Sequence, residues 1–164
     1  MSAQLDQNKR LKPNLSLRPM QIGDLDTIMQ IEPTIYSHPW TRGNFSDSLN
    51  SGYSAWVMED KGEMIGYALM MMVMDETHLL NLSIAKKRQK QGLGRYLLEH
   101  MMTIAKRRKA ANMFLEVRTS NISAIALYEN IGFCEMAVRR GYYPADAKIF
   151  KTGREDAVLM GLAL

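Results

Sequence analysis

The hydrophobic periodicities of the chain predict an α/β domain on one mixed, mostly antiparallel sheet of about seven strands flanked by about four helices. Apolar residues alternate in seven short stretches and recur at helical spacing in four others. Three of the strand stretches follow one another across short links, one carrying the turn Asp60-Lys61-Gly62-Glu63, which implies antiparallel pairing. A long amphipathic helix then separates the third of them from the next strand, which implies a parallel pair with a right-handed crossover. The chain has 164 residues, enough for one core without disulfides or structural metal.

Residues 15–18 read as the first strand. Asp24 stands as the N-cap of a helix continued by Leu25, Ile28, Met29 and Glu32, whose end Pro33 weakens. Residues 36–40 form a loop, because Pro39 disfavours helix at His38. Thr41 caps a second short helix holding Phe45 and Leu49. Strands follow at 53–59, 64–74 and 76–84, the last with His78, Leu80, Leu82 and Ile84 on one face. Gly92 opens the long helix, in which Leu93, Tyr96, Leu97, Met101, Ile104 and Ala105 recur at helical spacing. A strand at 113–117 precedes a helix at 121–131 that stops at Gly132. Strands at 133–138 and 157–162 close the chain, joined by a long loop through Pro144 and Gly153. The domain is expected over residues 15–164, with residues 1–14 as a flexible arm.

The formal net charge of +4 favours anionic partners without choosing among them. No apolar run reaches the roughly 20 residues that span a bilayer, and the first residues do not read as a secretory signal. A lone cysteine, Cys134, fits a reducing compartment, so a cytoplasmic location is expected. Cys134 follows the apolar Phe133 with no histidine beside it, which suits a buried structural thiol. His38, His78 and His100 do not make a metal spacing, and no metal is expected. The run Lys106-Arg107-Arg108-Lys109 suits a solvated helix end. Basic residues do not interleave with aromatic ones in the manner that stacks bases, which argues against a ribosome- or RNA-binding module without catalysis.

One segment carries chemistry by its pattern. Gln89-Lys90-Gln91-Gly92-Leu93-Gly94-Arg95 lies between a strand and a helix. Glycines let a backbone approach a bulky anion, and the first amides of a helix attract one. A tight turn with solvated charges fits the same residues. There is no Gly-Lys-Ser/Thr for a nucleotide P-loop, and Leu97 stands where a dinucleotide loop needs its third glycine.

Gln-x-x-Gly-x-Gly ahead of an amphipathic helix resembles the coenzyme A signature of the GNAT superfamily of N-acetyltransferases. Further blocks resemble its RimI-type branch, the ribosomal-protein alanine N-acetyltransferases. These are Leu97-Leu98-Glu99-His100, Leu115-Glu116-Val117-Arg118, Ser120-Asn121 and Ala124-Ile125-Ala126-Leu127-Tyr128-Glu129. Gly132-Phe133, Arg139-Arg140-Gly141-Tyr142-Tyr143-Pro144, Gly153-Arg154-Glu155-Asp156-Ala157 and the early Pro39-Trp40 continue the likeness. It covers residues 15–162. The resemblance implies a GNAT fold, acetyl-CoA as cosubstrate and the N-terminus of a small-subunit ribosomal protein as acceptor. A lysine or small-amine acceptor is the alternative within the same family.

Site residues follow from the resemblance. Glu116, by alternation either on a solvent face or in a cleft, matches the family's general base. Tyr128, readable as a core tyrosine, matches the acid that protonates the thiolate. Lys90, Gln91, Gly92, Leu93, Gly94 and Arg95 match the pyrophosphate loop, and Leu82, Ser83 and Ile84 the strand beside the pantetheine arm. Asn121 is a helix cap by its position and a cofactor contact by resemblance. Pro39 and Trp40 in the early loop, and Tyr142 and Tyr143 in the late one, are the expected acceptor contacts.

Overall fold

The computed structural model describes residues 14–164, so the arm expected over residues 1–14 lies, Asn14 aside, outside the described residues. The elements run β1 (Leu15–Pro19), a 3-10 turn (Ile22–Asp24), α1 (Leu25–Ile35), α2 (Arg42–Asn50), β2 (Ser54–Asp60), β3 (Glu63–Val73) and β4 (Glu76–Ile84). A second 3-10 turn (Lys86–Arg88), α3 (Leu93–Arg107), β5 (Asn112–Arg118), α4 (Ile122–Ile131), β6 (Cys134–Pro144) and β7 (Arg154–Ala163) follow. The strands form one sheet in the order β1-β2-β3-β4-β5-β7-β6. β4 and β5 are its parallel pair and the remaining neighbours are antiparallel, as the periodicities implied.

Helices cover both faces. α1 and α2 bury Leu25, Ile28 and Phe45 against Val57, Tyr67 and Leu69. α3 buries Leu97, Leu98 and Met101 with Met58, Met70, Met113 and Met160, so methionines fill much of the larger core. β3 and β4 approach most closely at Gly66, where an added Cβ would lie 2.8 Å from Ile84 and 2.9 Å from the Ser83 carbonyl. Among the described residues no helix is long and apolar enough to cross a membrane.

The structure corrects three local expectations. Asp24 does not cap α1 through its side chain; its carboxylate takes the Gln21 amide at 2.7 Å and pairs with Arg18. β6 and β7 extend to Pro144 and back to Arg154, which leaves only residues 145–153 between them and puts Tyr142 and Tyr143 in a strand. A bulge makes this extension possible. Register jumps from Arg139 opposite Ala157 to Tyr143 opposite Glu155, and Gly141 within the bulge takes φ +59°. Cys134 is exposed, because β6 is the sheet edge and its residues 134–140 all face solvent. In β4, His78, Leu80 and Leu82 are half-buried, while Thr77, Leu79, Asn81, Ser83 and Ile84 are buried.

The polar residues Asn81 and Ser83 are buried because a carboxylate waits for them. Glu32 of α1 is 1% exposed. It accepts hydrogen bonds from the Tyr67 hydroxyl, the Trp40 amide at 3.1 Å and, at the long limit of 3.5 Å, Asn81 Nδ2. Ser83 Oγ donates to Asn81 Oδ1 at 2.6 Å and lies 2.8 Å from the Tyr36 hydroxyl. This network ties the α1–α2 loop to the sheet. Burial pushes the Glu32 carboxyl above the ordinary carboxylate range, against the hydrogen bonds that favour its charge.

A raised folded-state pKa makes a contribution to stability that is complete below the unfolded value, about 4.3, and is lost as pH rises through the folded one. Wild type should therefore lose stability relative to Glu32→Gln as pH rises from that value. Paired urea melts between about pH 4 and 8 check it; a flat difference would contradict the assignment.

Candidate active site

The site begins where β4 and β5 part. Their pairing runs from Glu76 opposite Asn112 to Leu79 opposite Leu115 and stops there. On the other side of β4, Met70 faces Leu79 but Leu69 faces Asn81, so Leu80 is an extra residue. Such a bulge bends its strand, and β4 turns away from β5 at that residue. The Ala85 amide bonds to Ile65 on β3; by alternation the main-chain groups of Leu82 and Ile84 face the gap. Two side chains meet them there. The Tyr36 hydroxyl donates to the Leu82 carbonyl at 3.2 Å, and Gln89 Nε2 to the Ile84 carbonyl at 3.0 Å.

Two adjoining cavities fill the gap. The first, about 330 Å³, is walled by Trp40, Leu80, Leu82, Glu116, Tyr128 and Tyr143. The second, about 570 Å³, is walled by Leu82, Ile84, Lys90, Gly92, Gly94 and Arg95. Tyr36, His38, Asn121 and Tyr128 border both.

The second cavity suits an elongated anion. Gly92 is the N-cap of α3 at φ +77°, and Lys90 before it also has positive φ, +61°. These turns leave the first amides of a fifteen-residue helix at the cavity, where the helix dipole attracts negative charge. Arg88, Lys90 and Arg95 add positive charge. Arg95 is braced by Glu99 at 2.9 Å and Asn130 at 3.0 Å. A Cβ on Gly94 would meet Leu127 at 3.5 Å and Ile84 at 3.8 Å, ordinary packing distances that the fold tolerates.

The first cavity brings Glu116 and Tyr128 together. Glu116 on β5 is about a quarter exposed, and Arg139 Nε binds its Oε1 at 2.9 Å. The nearby Glu116 carboxylate and partial burial push the Tyr142 hydroxyl's pKa up. Tyr143 packs edge-on to Tyr142 with centroids 4.9 Å apart. Tyr128 is buried beside Phe133, 5.7 Å between centroids. Burial holds its hydroxyl well above the ordinary phenol range, so it carries its proton at neutral pH. Tyr36 is likewise pushed up, to about 12. The Asn121 side chain caps α4 by accepting the Ala124 amide at 3.2 Å.

Glu116, Tyr128, Trp40 and Tyr143 meet at the first cavity, and Leu82, Ile84, Lys90, Gly92, Leu93, Gly94, Arg95 and Asn121 border the second. Ser83, Gln91 and Pro39 border neither cavity. Tyr142 also borders neither cavity; its ring lies under the Arg139 guanidinium, 5.6 Å from its centroid. Sequence reasoning assigned no role to Tyr36, His38, Arg118 or Arg139, and named Gln89 only as the first residue of the Gln-x-x-Gly-x-Gly motif. Arg118 and Arg139 stood inside quoted motif blocks, but nothing local marks which carboxylate an arginine will meet. Among the described residues no cluster of three or more histidine, cysteine or acidic side chains could hold a metal ion.

A sequence model of the acetyltransferase (GNAT) family matches residues 25–133. The chain is 37% identical, over 91% of its length and 97% of the relative's, to the [ribosomal protein bS18]-alanine N-acetyltransferase of Escherichia coli. It superposes on the crystal structure of the ribosomal-protein-S18-alanine N-acetyltransferase from Escherichia coli with a TM-score of 0.82, covering 91% of this chain and 93% of that one at 37% identity. A GNAT family acetyltransferase from Elizabethkingia anophelis, solved with acetyl-CoA bound, shares the fold with a TM-score of 0.74 at 23% identity, covering 93% of this chain and all of that one.

A branched side chain at the start of α3 should exclude the anion. Gly94→Val is expected to raise the apparent constant for acetyl-CoA roughly 10-fold or more, a cost of about 1.4 kcal/mol or above. Calorimetric titration of the folded variant checks this; unchanged affinity would remove the cofactor from this helix end.

Proposed function

The chain belongs to the acetyltransferase (GNAT) family, and from that premise we propose that it transfers the acetyl group of acetyl-CoA to the N-terminal α-amine of alanine in a small-subunit ribosomal protein. The observation that carries this is the junction of the two cavities. A site for an elongated anion opens at Tyr128 into a pocket holding a carboxylate and aromatic walls. The relatives at 37% identity, which by name act on the alanine of ribosomal protein bS18, supply the acceptor class.

Acetyl transfer requires an amine with a free lone pair, and an α-ammonium has a pKa of about 7.7–8.0. Glu116 removes that proton, directly or through a water, and the neutral nitrogen attacks the carbonyl. Acetyl-CoA supplies the activated thioester. As the carbon–sulfur bond breaks, Tyr128 gives its proton to the departing sulfur. The main chain of Leu82 and Ile84, in the gap between β4 and β5, lies beside the pantetheine arm, and residues 90–95 hold the pyrophosphate. Trp40, Tyr142 and Tyr143 form aromatic walls for the first residues of an extended chain, and phenolic hydroxyls suit peptide carbonyls. We assign the reaction to the cytoplasm, where an exposed Cys134 stays reduced.

Removing either proton-transfer group should lower turnover about 10²- to 10⁴-fold with little change in cofactor binding. In Glu116→Gln the loss should shrink as pH rises through the acceptor's own titration. A defect of constant size across pH would mean that Glu116 positions substrate and is not the base.

The acceptor class is tested by steady-state assays of three compounds side by side. These are an alanine-starting peptide, the same peptide with a blocked N-terminus and a free lysine, and spermidine. The first should turn over fastest. Faster turnover of either other acceptor would move the assignment to a lysine or small-amine acetyltransferase.

A further inference from the structure

Two arginines stand astride Ala157, and one of them, Arg118, lines the first cavity. Arg118 of β5 and Arg139 of β6 both pair in register with Ala157 of β7. Side chains directly opposite in antiparallel strands share a face, and so do residues two apart on one strand. Arg118, Arg139 and Glu116 therefore project from the same face of the sheet. Each arginine lies over one tyrosine ring, Arg118 at 4.5 Å from the Tyr143 centroid and Arg139 at 5.6 Å from that of Tyr142. Each binds one carboxylate, Arg118 that of Glu155 at 3.1 Å and Arg139 that of Glu116 at 2.9 Å.

The two sets differ in what surrounds the carboxylate. Glu155 is 3% exposed and also accepts the Ser120 amide at 2.8 Å, while Arg118 further holds the Pro144 carbonyl at 2.8 Å. That set is a brace between β5, β7 and the end of β6. Glu116 instead faces the cavity, and Arg139 is half exposed. Here the same pattern of arginine, tyrosine and carboxylate is built around a group that must meet a ligand.

We propose that Arg139 is the positioning residue for Glu116, acting through the carboxylate and touching neither acceptor nor cofactor. The inference rests on the reading of Glu116 as the base. A glutamate side chain has three rotatable bonds, and a carboxylate that swings among rotamers meets the amine for only part of the time. Arg139 Nε lies 2.9 Å from Oε1, and the guanidinium is itself seated over the ring of Tyr142, which comes from the bulge that follows Arg139. An ion pair on one oxygen, from a guanidinium held in place by an aromatic ring, narrows the rotamers open to the carboxylate. Ala157 makes the reach possible, since its short side chain lets the guanidinium cross β7 toward β5. A misplacement of about 1 Å at a reacting group can cost up to roughly 10² in rate.

The test is a double-mutant cycle on turnover of an alanine-starting peptide, with wild type, Arg139→Gln, Glu116→Gln and the double variant. Arg139→Gln should lower kcat about 10-fold, with the constants for peptide and acetyl-CoA within about twofold of wild type. In the Glu116→Gln background the same change should cost less than about twofold, because its target is gone. Arg139→Lys, which keeps charge but loses the planar fork, should recover part of kcat and guards the test should the glutamine variant fold poorly. Equal losses in both backgrounds, or a loss confined to the peptide constant, would overturn the proposal and make Arg139 an acceptor contact. Wild-type turnover by Glu116→Gln would instead remove the base itself, and the proposal with it.

Discussion

The parting of β4 from β5 after four residue pairs is the constraint on which the site depends. A parallel pair that continued to Ile84 and Arg118 would satisfy its main-chain groups internally and leave no space between the strands. The extra residue Leu80 prevents this by bending β4 while its other edge stays bonded to β3. The freed edge does not collapse, because the Tyr36 hydroxyl and the Gln89 amide occupy two of its carbonyls. Both cavities lie in this opening, and α3 starts beside it because the crossover helix must follow the end of β4.

The α1–α2 loop depends on the same opening. A buried carboxylate without a cation is costly unless hydrogen bonds surround it. Glu32 meets that condition through the Tyr67 hydroxyl, the Trp40 amide and Asn81. These bonds fix Trp40, and contacts with Leu82 and Ser83 hold Tyr36 against β4, one walling the first cavity and the other bordering both. Buried polar groups here set the shape of the pocket, a role that an apolar core could fill only with less directional contacts.

On the opposite wall the bulge of β6 performs a comparable task. Residues 140–142 stand opposite Asp156 alone, and the Gly141 amide reaches the Asp156 carboxylate at 2.7 Å. The detour brings Tyr143 to the cavity from a strand that is otherwise an exposed edge. Arg154 bonds back to the carbonyls of Gly141 and Tyr142 at 2.9 and 3.1 Å, so the bulge is held on both sides. Glu116 is thus framed by rigid sheet on one side and by a strapped bulge on the other.

The sequence by itself determined the order and type of the elements, the single parallel crossing, the glycine-started helix after β4, and the family motifs that name Glu116 and Tyr128. These are local properties: periodicity, caps and the stereochemistry of glycine act over a few residues and leave a trace in the chain. It misjudged Cys134 and the reach of β6, because edge position and a three-residue bulge are settled by which strand lies alongside. The partners of Glu32, 35 and 49 residues away in Tyr67 and Asn81, left no local trace. Neither did the meeting of Arg139 with Glu116 across β7. Only the tertiary structure decided those pairings, since an isolated strand carries no information about which side chains two strands away will share its face.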